Sequence, residues 1–349
     1  MKAILFERFG GELNCVDVAD PILPTGGVVV RVEASGLCRS DWHGWMGHDD
    51  DVQLPHVPGH ELAGTVVEAD SSVTKWQVGD RVTVPFSMGC GSCEQCDNGD
   101  LQICDEYYQP GFKGWGSFAE FVALPFADTN LVRLPEEIDF AAAASLGCRF
   151  VTSYRAVTAQ SSLAAGQFLA VHGCGGVGLS AIMIASSMNA EVIAVDVSDE
   201  ALRLAQSCGA THTVNSKVED VVDAIHSISK GGAHVSIDAL GSTETLRNSI
   251  ACLRKRGRHV QIGLMAGDHS EPSIPFGQVI AKEIEIVGSH GMSAAVYPEL
   301  MNLLATGTLE PEKLVSRTIS LSEVPNELRT MGTQPFAGIT VVLPHQSHV

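Results

Sequence analysis

Gly173-Cys174-Gly175-Gly176-Val177-Gly178 decides the fold of this chain. An apolar run at residues 168–171 reads as a strand leading into it, and residues 177–188 read as the helix it opens. In such a unit Gly173 permits the tight turn, Gly175 lets backbone approach a pyrophosphate, and Gly178 lets helix pack closely on strand. Gly176 and Val177 begin the helix, whose unpaired N–H groups and dipole favour negative charge. Asp196 ends the next strand, 18 residues after Gly178. A carboxylate there accepts hydrogen bonds from ribose hydroxyls and repels a 2′-phosphate. Val197-Ser198-Asp199 follow with no adjacent arginine, so NAD is expected rather than NADP. The glycines alone also fit an ordinary strand-to-helix turn; strand, glycines, helix and acid together point to a dinucleotide.

Outward from this loop, strands and helices alternate. Residues 191–196, 211–215, 235–238 and 258–262 read as strands, and residues 198–208 as a helix with Ser198 as N-cap. This βαβ rhythm implies a parallel sheet covered by helices. Upstream the pattern differs. Residues 2–6, 28–35, 62–68, 81–85, 118–124 and 131–134 read as short strands between Gly/Pro turns, which suggests a small barrel-like β domain. Residues 141–144 and 149–158 look helical, and residues 338–343 form a last strand that can return to the β domain. A chain of 349 residues is long for one core. The expected fold class is α/β: a β-barrel domain over residues 1–155 and 289–349, and a doubly wound Rossmann domain over 156–288.

Composition narrows the function. Twenty-two basic against 41 acidic residues give a net charge of −19, which opposes nucleic-acid backbones. The one basic cluster, Arg254-Lys255-Arg256, is read as a solvated helix end. No run of 18 apolar residues appears, and the N-terminus turns charged at Glu7-Arg8, so neither a membrane span nor a secretory signal is expected and the protein is placed in the cytoplasm. Ten cysteines in such a chain suggest metal binding or catalysis before disulfides.

Two cysteine patterns stand out. Cys90, Cys93 and Cys96 form nested Cys-x-x-Cys steps, and Cys104 follows eight residues later, in a lobe over residues 88–106. Four thiols on one loop suit a closed Zn–S4 site, which leaves no position for substrate. A redox pair needs only two of them, the spacing fits iron–sulfur clusters poorly, and the acidic charge argues against a nucleic-acid finger. The second pattern is looser. Cys38-Arg39-Ser40-Asp41-Trp42-His43 precedes Gly59-His60-Glu61, with Cys38 and His60 22 residues apart. A soft thiolate and an imidazole suit zinc, and so wide a loop can leave a coordination position open. These two residues alone are equally compatible with a buried thiol and a core imidazole that never meet.

Gly59-His60-Glu61-x-x-Gly64, Gly79-Asp80-Arg81-Val82, the four-cysteine lobe and the glycine loop together resemble the zinc-containing medium-chain alcohol dehydrogenases, over essentially the whole chain. The resemblance implies a GroES-like catalytic domain and a Rossmann domain, two zinc ions per subunit, and reversible hydride transfer between NAD and an alcohol or its aldehyde or ketone. It supplies Cys148 as third catalytic ligand beside Cys38 and His60, in a ligand set of which alcohol dehydrogenase is itself the standard example. Polyol-active relatives usually carry a carboxylate there, so Cys148 favours the alcohol branch over a sugar or polyol dehydrogenase. It implies that Ser40 takes the hydroxyl proton, that His43 ends the relay to water, that Asp41 orients His60, that Glu61 sits beside the metal, and that Arg39 meets the pyrophosphate. Trp45, Phe86 and Trp115 are candidate substrate-pocket walls, with core packing as their alternative. The length looks like the bacterial branch, commonly tetrameric, and residues 285–288 are the expected contact edge. A non-catalytic zinc and nucleotide-binding scaffold is the reading from another class, and intact Ser40 and His43 argue against it.

Overall fold

The structure, a computed structural model, describes residues 1–331 and 337–346. The chain divides into two compact units: Met1–Val151 with Gly291–Val349, and Thr152–His290.

The first unit is built on a seven-stranded mixed sheet in the order Val315–Ser320, Ile339–Leu343, Val28–Leu37, Glu61–Ala69, Arg81–Thr83, Val132–Arg133, with Phe121–Leu124 also paired to Val28–Leu37. The last strand does return to the β unit: Thr340 pairs with Leu37 and Val342 with Ser35, antiparallel. Val28, Val30, Val32, Leu62, Val66 and Val82 fill one core against the sheet. A second core gathers Phe6, Leu37, Trp45, Phe112, Phe118 and Leu328. The ten-residue strand Val28–Leu37 delivers Cys38 directly to the N-cap of the helix Arg39–Met46.

The second unit is a six-stranded, all-parallel sheet in the order His212–Asn215, Glu191–Asp196, Phe168–His172, Ala233–Asp238, Leu253–Gln261, Glu285–Gly288. Numbered within the unit, this is order 3-2-1-4-5-6, the doubly wound arrangement whose chain reversal beside the first strand opens a crevice at the carboxyl ends. Ser198 does cap the helix Asp199–Ser207, accepting from the Ala201 N–H.

One expectation is borne out with a refinement and one is corrected. Residues 149–158 are helical, as expected, within an unbroken run from Leu146 to Gln160 in which Val151–Arg155 is α-helical and Leu146–Phe150 and Ala156–Gln160 are wide i→i+5 turns. Arg254-Lys255-Arg256 is no helix end but opens the strand Leu253–Gln261. Arg256 takes a left-handed φ of 59°, and Arg254 is tied down by donating to the Gly232 and Ser229 carbonyls.

Candidate metal and cofactor sites

In the first unit, ligand atoms of Cys38, His60, Glu61 and Cys148 all lie within 4.8 Å of one another. The sequence brings them from three places. Cys38 ends a strand. His60 follows Gly59, whose φ of +104° and crowding against the Phe118 N–H leave no room for a side chain. Cys148 sits in the wide turn Leu146–Phe150, held by the Phe86 N–H donating to the Gly147 carbonyl at 2.9 Å. Such local widenings of a helix often accompany functional sites.

Asp41 organises this cluster. It is buried, and its Oδ2 accepts from the Cys38 N–H at 2.9 Å. Its Oδ1 accepts from the Gly59 N–H at 3.1 Å and lies 2.7 Å from His60 Nδ1. His60 Nδ1 is thereby engaged. Its Nε2 is buried with no hydrogen-bond partner among the described residues, and it is the atom the ring can still offer. An orphaned nitrogen beside two thiols is what a metal ion would satisfy. The electrostatics favour a positive charge at this position. Burial works to lower the pKa of His60, and the Asp41 carboxylate outweighs it, so the ring is held well above its ordinary range. A hydrogen bond from the Cys148 thiol pushes Cys38 well down toward thiolate against the cost of burial, while Cys148 is pushed up.

Beneath the cluster lies an ion pair that sequence reasoning missed. Glu61 is fully buried. Its Oε1 accepts from the Arg149 backbone N–H at 3.0 Å and from Nε at 3.1 Å, and its Oε2 accepts from Nη2. Arg149 Nη1 donates to the Leu37 carbonyl at 2.9 Å. Gly36 is required here, since a Cβ would fall 2.1 Å from Glu61 Oε2. The available signal was an arginine directly after Cys148 in an otherwise apolar run.

Phe112 was also missed. Its ring stands edge-on to His60 at 5.4 Å, and Phe86 does so at 6.3 Å. Of the other aromatic candidates, Trp45 packs in the core with its indole N–H on the Gly11 carbonyl, and Trp115 is partly exposed and donates to the Pro55 carbonyl. Ser40 Oγ lies 3.8 Å from Cys38 Sγ. His43 is one turn on, half-buried, with its pKa lowered to about 4 by burial first and then by Arg39 and His48. Arg39 stacks on Trp42 at 4.2 Å and donates to the Met331 carbonyl.

The second cluster is local. Sγ atoms of Cys90, Cys93, Cys96 and Cys104 lie within 4.8 Å of one another, all free thiols. Backbone N–H groups of Cys90 and Glu106 point at Cys104 Sγ, that of Gly91 at Cys96, and that of Ser92 at Cys90. Ser92 holds Cys90 down at about 6, whereas burial pushes Cys104 up to about 12. The set has the softness and number for tetrahedral zinc. Asn130 anchors it by bracketing both the N–H and the carbonyl of Gly89.

In the second unit, Asp196 ties the glycine loop to the next strand. Its Oδ2 accepts from the Cys174 N–H at 2.7 Å and its Oδ1 from the Ser198 N–H at 2.9 Å. Gly173 has φ of +94°, and a Cβ on Gly178 would fall 1.8 Å from the Gly173 carbonyl. A Cβ on Gly175 would meet nothing within 4 Å. That open cradle at a helix N-terminus fits a pyrophosphate. Cys174 is buried and its thiol is pushed up by that burial, away from reactivity.

Known proteins share this sequence and fold. Residues 24–136 match the family model described as an alcohol dehydrogenase GroES-like domain, and residues 176–306 match a zinc-binding dehydrogenase model. A protein of Sulfurisphaera tokodaii called NAD-dependent alcohol dehydrogenase is 32% identical over 357 residues, covering 99% of this chain and 100% of that one. The chain belongs to the zinc-containing medium-chain alcohol dehydrogenase family. A family member of Halalkalibacterium halodurans called sorbitol dehydrogenase is 31% identical over 333 residues, covering 93% of this chain and 94% of the relative. Among solved structures of the family, the alcohol dehydrogenase of Aeropyrum pernix superposes with a TM-score of 0.90 at 29% identity, covering 99% of this chain and all of that one.

Proposed function

We propose that this chain is a zinc-dependent, NAD-linked dehydrogenase that interconverts a small alcohol and its aldehyde or ketone. The observation that carries the reading is His60: Nδ1 held by Asp41, Nε2 unpartnered beside Cys38 and Cys148. Cys38, His60 and Cys148 would hold one zinc, and Cys90, Cys93, Cys96 and Cys104 a second. When bound, the first zinc would supply Lewis acidity at the alcohol oxygen, and the nicotinamide would supply the hydride acceptor.

The chain's own residues do the rest. Asp41 fixes the His60 tautomer and direction. The Arg149–Glu61 pair places a compensated charge beside the ligands, so that Glu61 adds little net negative field. Ser40, beside Cys38, takes the substrate hydroxyl proton. His43, on the same helix, passes it outward, and its low pKa keeps it neutral and ready to accept. Asp196 would accept the ribose hydroxyls and disfavour a 2′-phosphate, which supports NAD over NADP. The reading extends to a cytoplasmic homo-oligomer, tetramer before dimer; the edge strand Glu285–Gly288, with Ile286 partly exposed, is the contact it uses.

The deciding experiment is zinc content per subunit, measured beside NADH formation with a panel of primary, secondary, aromatic and polyhydric alcohols. Two zinc per chain with turnover of simple alcohols is expected. Preference for polyols would move the chain to the sorbitol branch, and one zinc without turnover would leave a binding scaffold. Replacing Asp196 with Ala should weaken NADH binding roughly tenfold or more; unchanged affinity would remove Asp196 from the cofactor site.

A further inference from the structure

The helix Arg39–Met46 ends at Gly47, which takes the left-handed conformation (φ 77°). The chain then folds back, and the His48 N–H bonds to the His43 carbonyl at 3.0 Å. This return places two imidazoles together. His43 Nδ1 and His48 Nδ1 are 3.0 Å apart, and both rings stand edge-on to Trp42, at 5.0 and 5.5 Å. His43 is half-buried and His48 is exposed.

Two nitrogens at that separation share one proton, so the state of one ring dictates the state of the other. With a bare Nδ1 on His48, His43 carries its proton on Nδ1 and keeps Nε2 free to accept another. A His48 that carries its own proton on Nδ1 donates it instead. Neutral His43 must then accept at Nδ1 and carry its own proton on Nε2, where it can take no further one. We infer that His48 is a positioning residue that sets the tautomer of His43 in the proton relay. This rests on the assignment of His43 to that relay.

The charged groups around the pair are few. Arg39, stacked on Trp42, and the Cys38 thiolate face His43 from its own helix. Asp49 and Asp50 follow His48, and Asp51 accepts from the Tyr107 hydroxyl. From the helix Val324–Met331, packed against Arg39–Met46, Glu327 is paired to Arg317 and Arg329 is exposed.

The test uses zinc-loaded enzyme with NAD and a good alcohol from the panel. Rates of oxidation are followed against pH for the parent, His43→Gln and His48→Gln. A glutamine at position 48 presents no ring nitrogen to His43 Nδ1, so the pH profile of oxidation for His48→Gln should depart from the parent's. Ring ¹⁵N spectra of His43 supply a readout apart from turnover. The parent should show His43 as the Nδ1–H tautomer, and His48→Gln should change the proportion of Nδ1–H to Nε2–H. If His43→Gln alters the pH profile while His48→Gln superimposes on the parent in both readouts, the inference is overturned and the relay stands. If His43→Gln leaves the profile unchanged, the relay itself fails and takes the inference with it.

Discussion

The two units build their candidate sites by different means. The first gathers side chains from distant parts of the chain and buries charges in pairs: Asp41 on His60, Glu61 on Arg149. The second presents backbone, a glycine turn pinned by the single carboxylate of Asp196, and keeps its deeply buried imidazoles neutral. A side-chain site is lost when one donor goes. A backbone site is lost also when something is added.

The largest expected effect tests the first half of that contrast. Cys38→Ser should lower alcohol oxidation by roughly a thousandfold or more, the scale of losing a Lewis acid from a reacting oxygen. It should release one metal equivalent and leave the four-cysteine lobe loaded. Cys93→Ser should do the reverse, releasing the other equivalent and lowering the thermal midpoint while zinc stays at His60. Metal analysis beside turnover checks both. Equal loss of activity per folded molecule from the two substitutions would erase the division into an open and a closed site.

Arg149→Met comes next. It strips Glu61 of its partner while the carboxylate remains buried, and removing one member of a buried pair costs about 3–5 kcal/mol. Denaturant unfolding measures it. Adding Glu61→Gln should recover much of that loss, because the orphaned charge goes too. If the single change costs under about 1 kcal/mol, the pair is not the electrostatic floor of the site.

For the second unit, two substitutions separate addition with room from addition without it. Gly178→Ala drives a Cβ into the Gly173 carbonyl, and overpacking of that kind costs about 1–3 kcal/mol and displaces the loop. Gly175→Val meets open space, so it should fold at close to parental stability and yet bind NADH poorly, because the added atoms occupy the pyrophosphate's approach. Thermal melts with and without NADH distinguish them. Full NADH stabilisation of Gly175→Val would show that the cradle is not where the cofactor lies.

Legibility in the sequence followed the same contrast. The glycine turn and the four cysteines were readable because their parts are neighbours in the chain: six residues for one, fifteen for the other. The parallel sheet was readable from its rhythm, and the return of the last strand from its apolar run. Cys148 could be placed only by resemblance, since nothing local joins it to Cys38 across 110 residues. Arg149 was unreadable as a partner of Glu61. An arginine inside an apparently helical run looks like a surface residue until a wide turn swings it inward. Phe112 was hidden by its loop, where Gly111 and Gly116 press on the backbone of Gly59 and carry the ring to His60.

The smallest effect sharpens the contrast in buried imidazoles. His172 ends the first strand of the parallel sheet, 1% exposed, with Nε2 3.7 Å from Cys252 Sγ. Burial, with His259 adding, lowers its pKa to about 3, whereas the Asp41 carboxylate raises that of His60. The unfolded chain takes up a proton on this ring below about pH 6.5, and the folded chain does not until near 3. Between those values the unfolded state binds the extra proton, so its share of stability is complete above the window and falls by about 1.4 kcal/mol per pH unit within it. His172→Gln keeps a polar side chain and removes the titration, so its stability should decline more gently with acid than the parent's, by one proton's slope. Unfolding free energies at several values from pH 7 to 4.5 measure that slope. Parallel curves for parent and variant would mean that His172 is protonated in the folded protein, and the second unit would then bury charge as the first does.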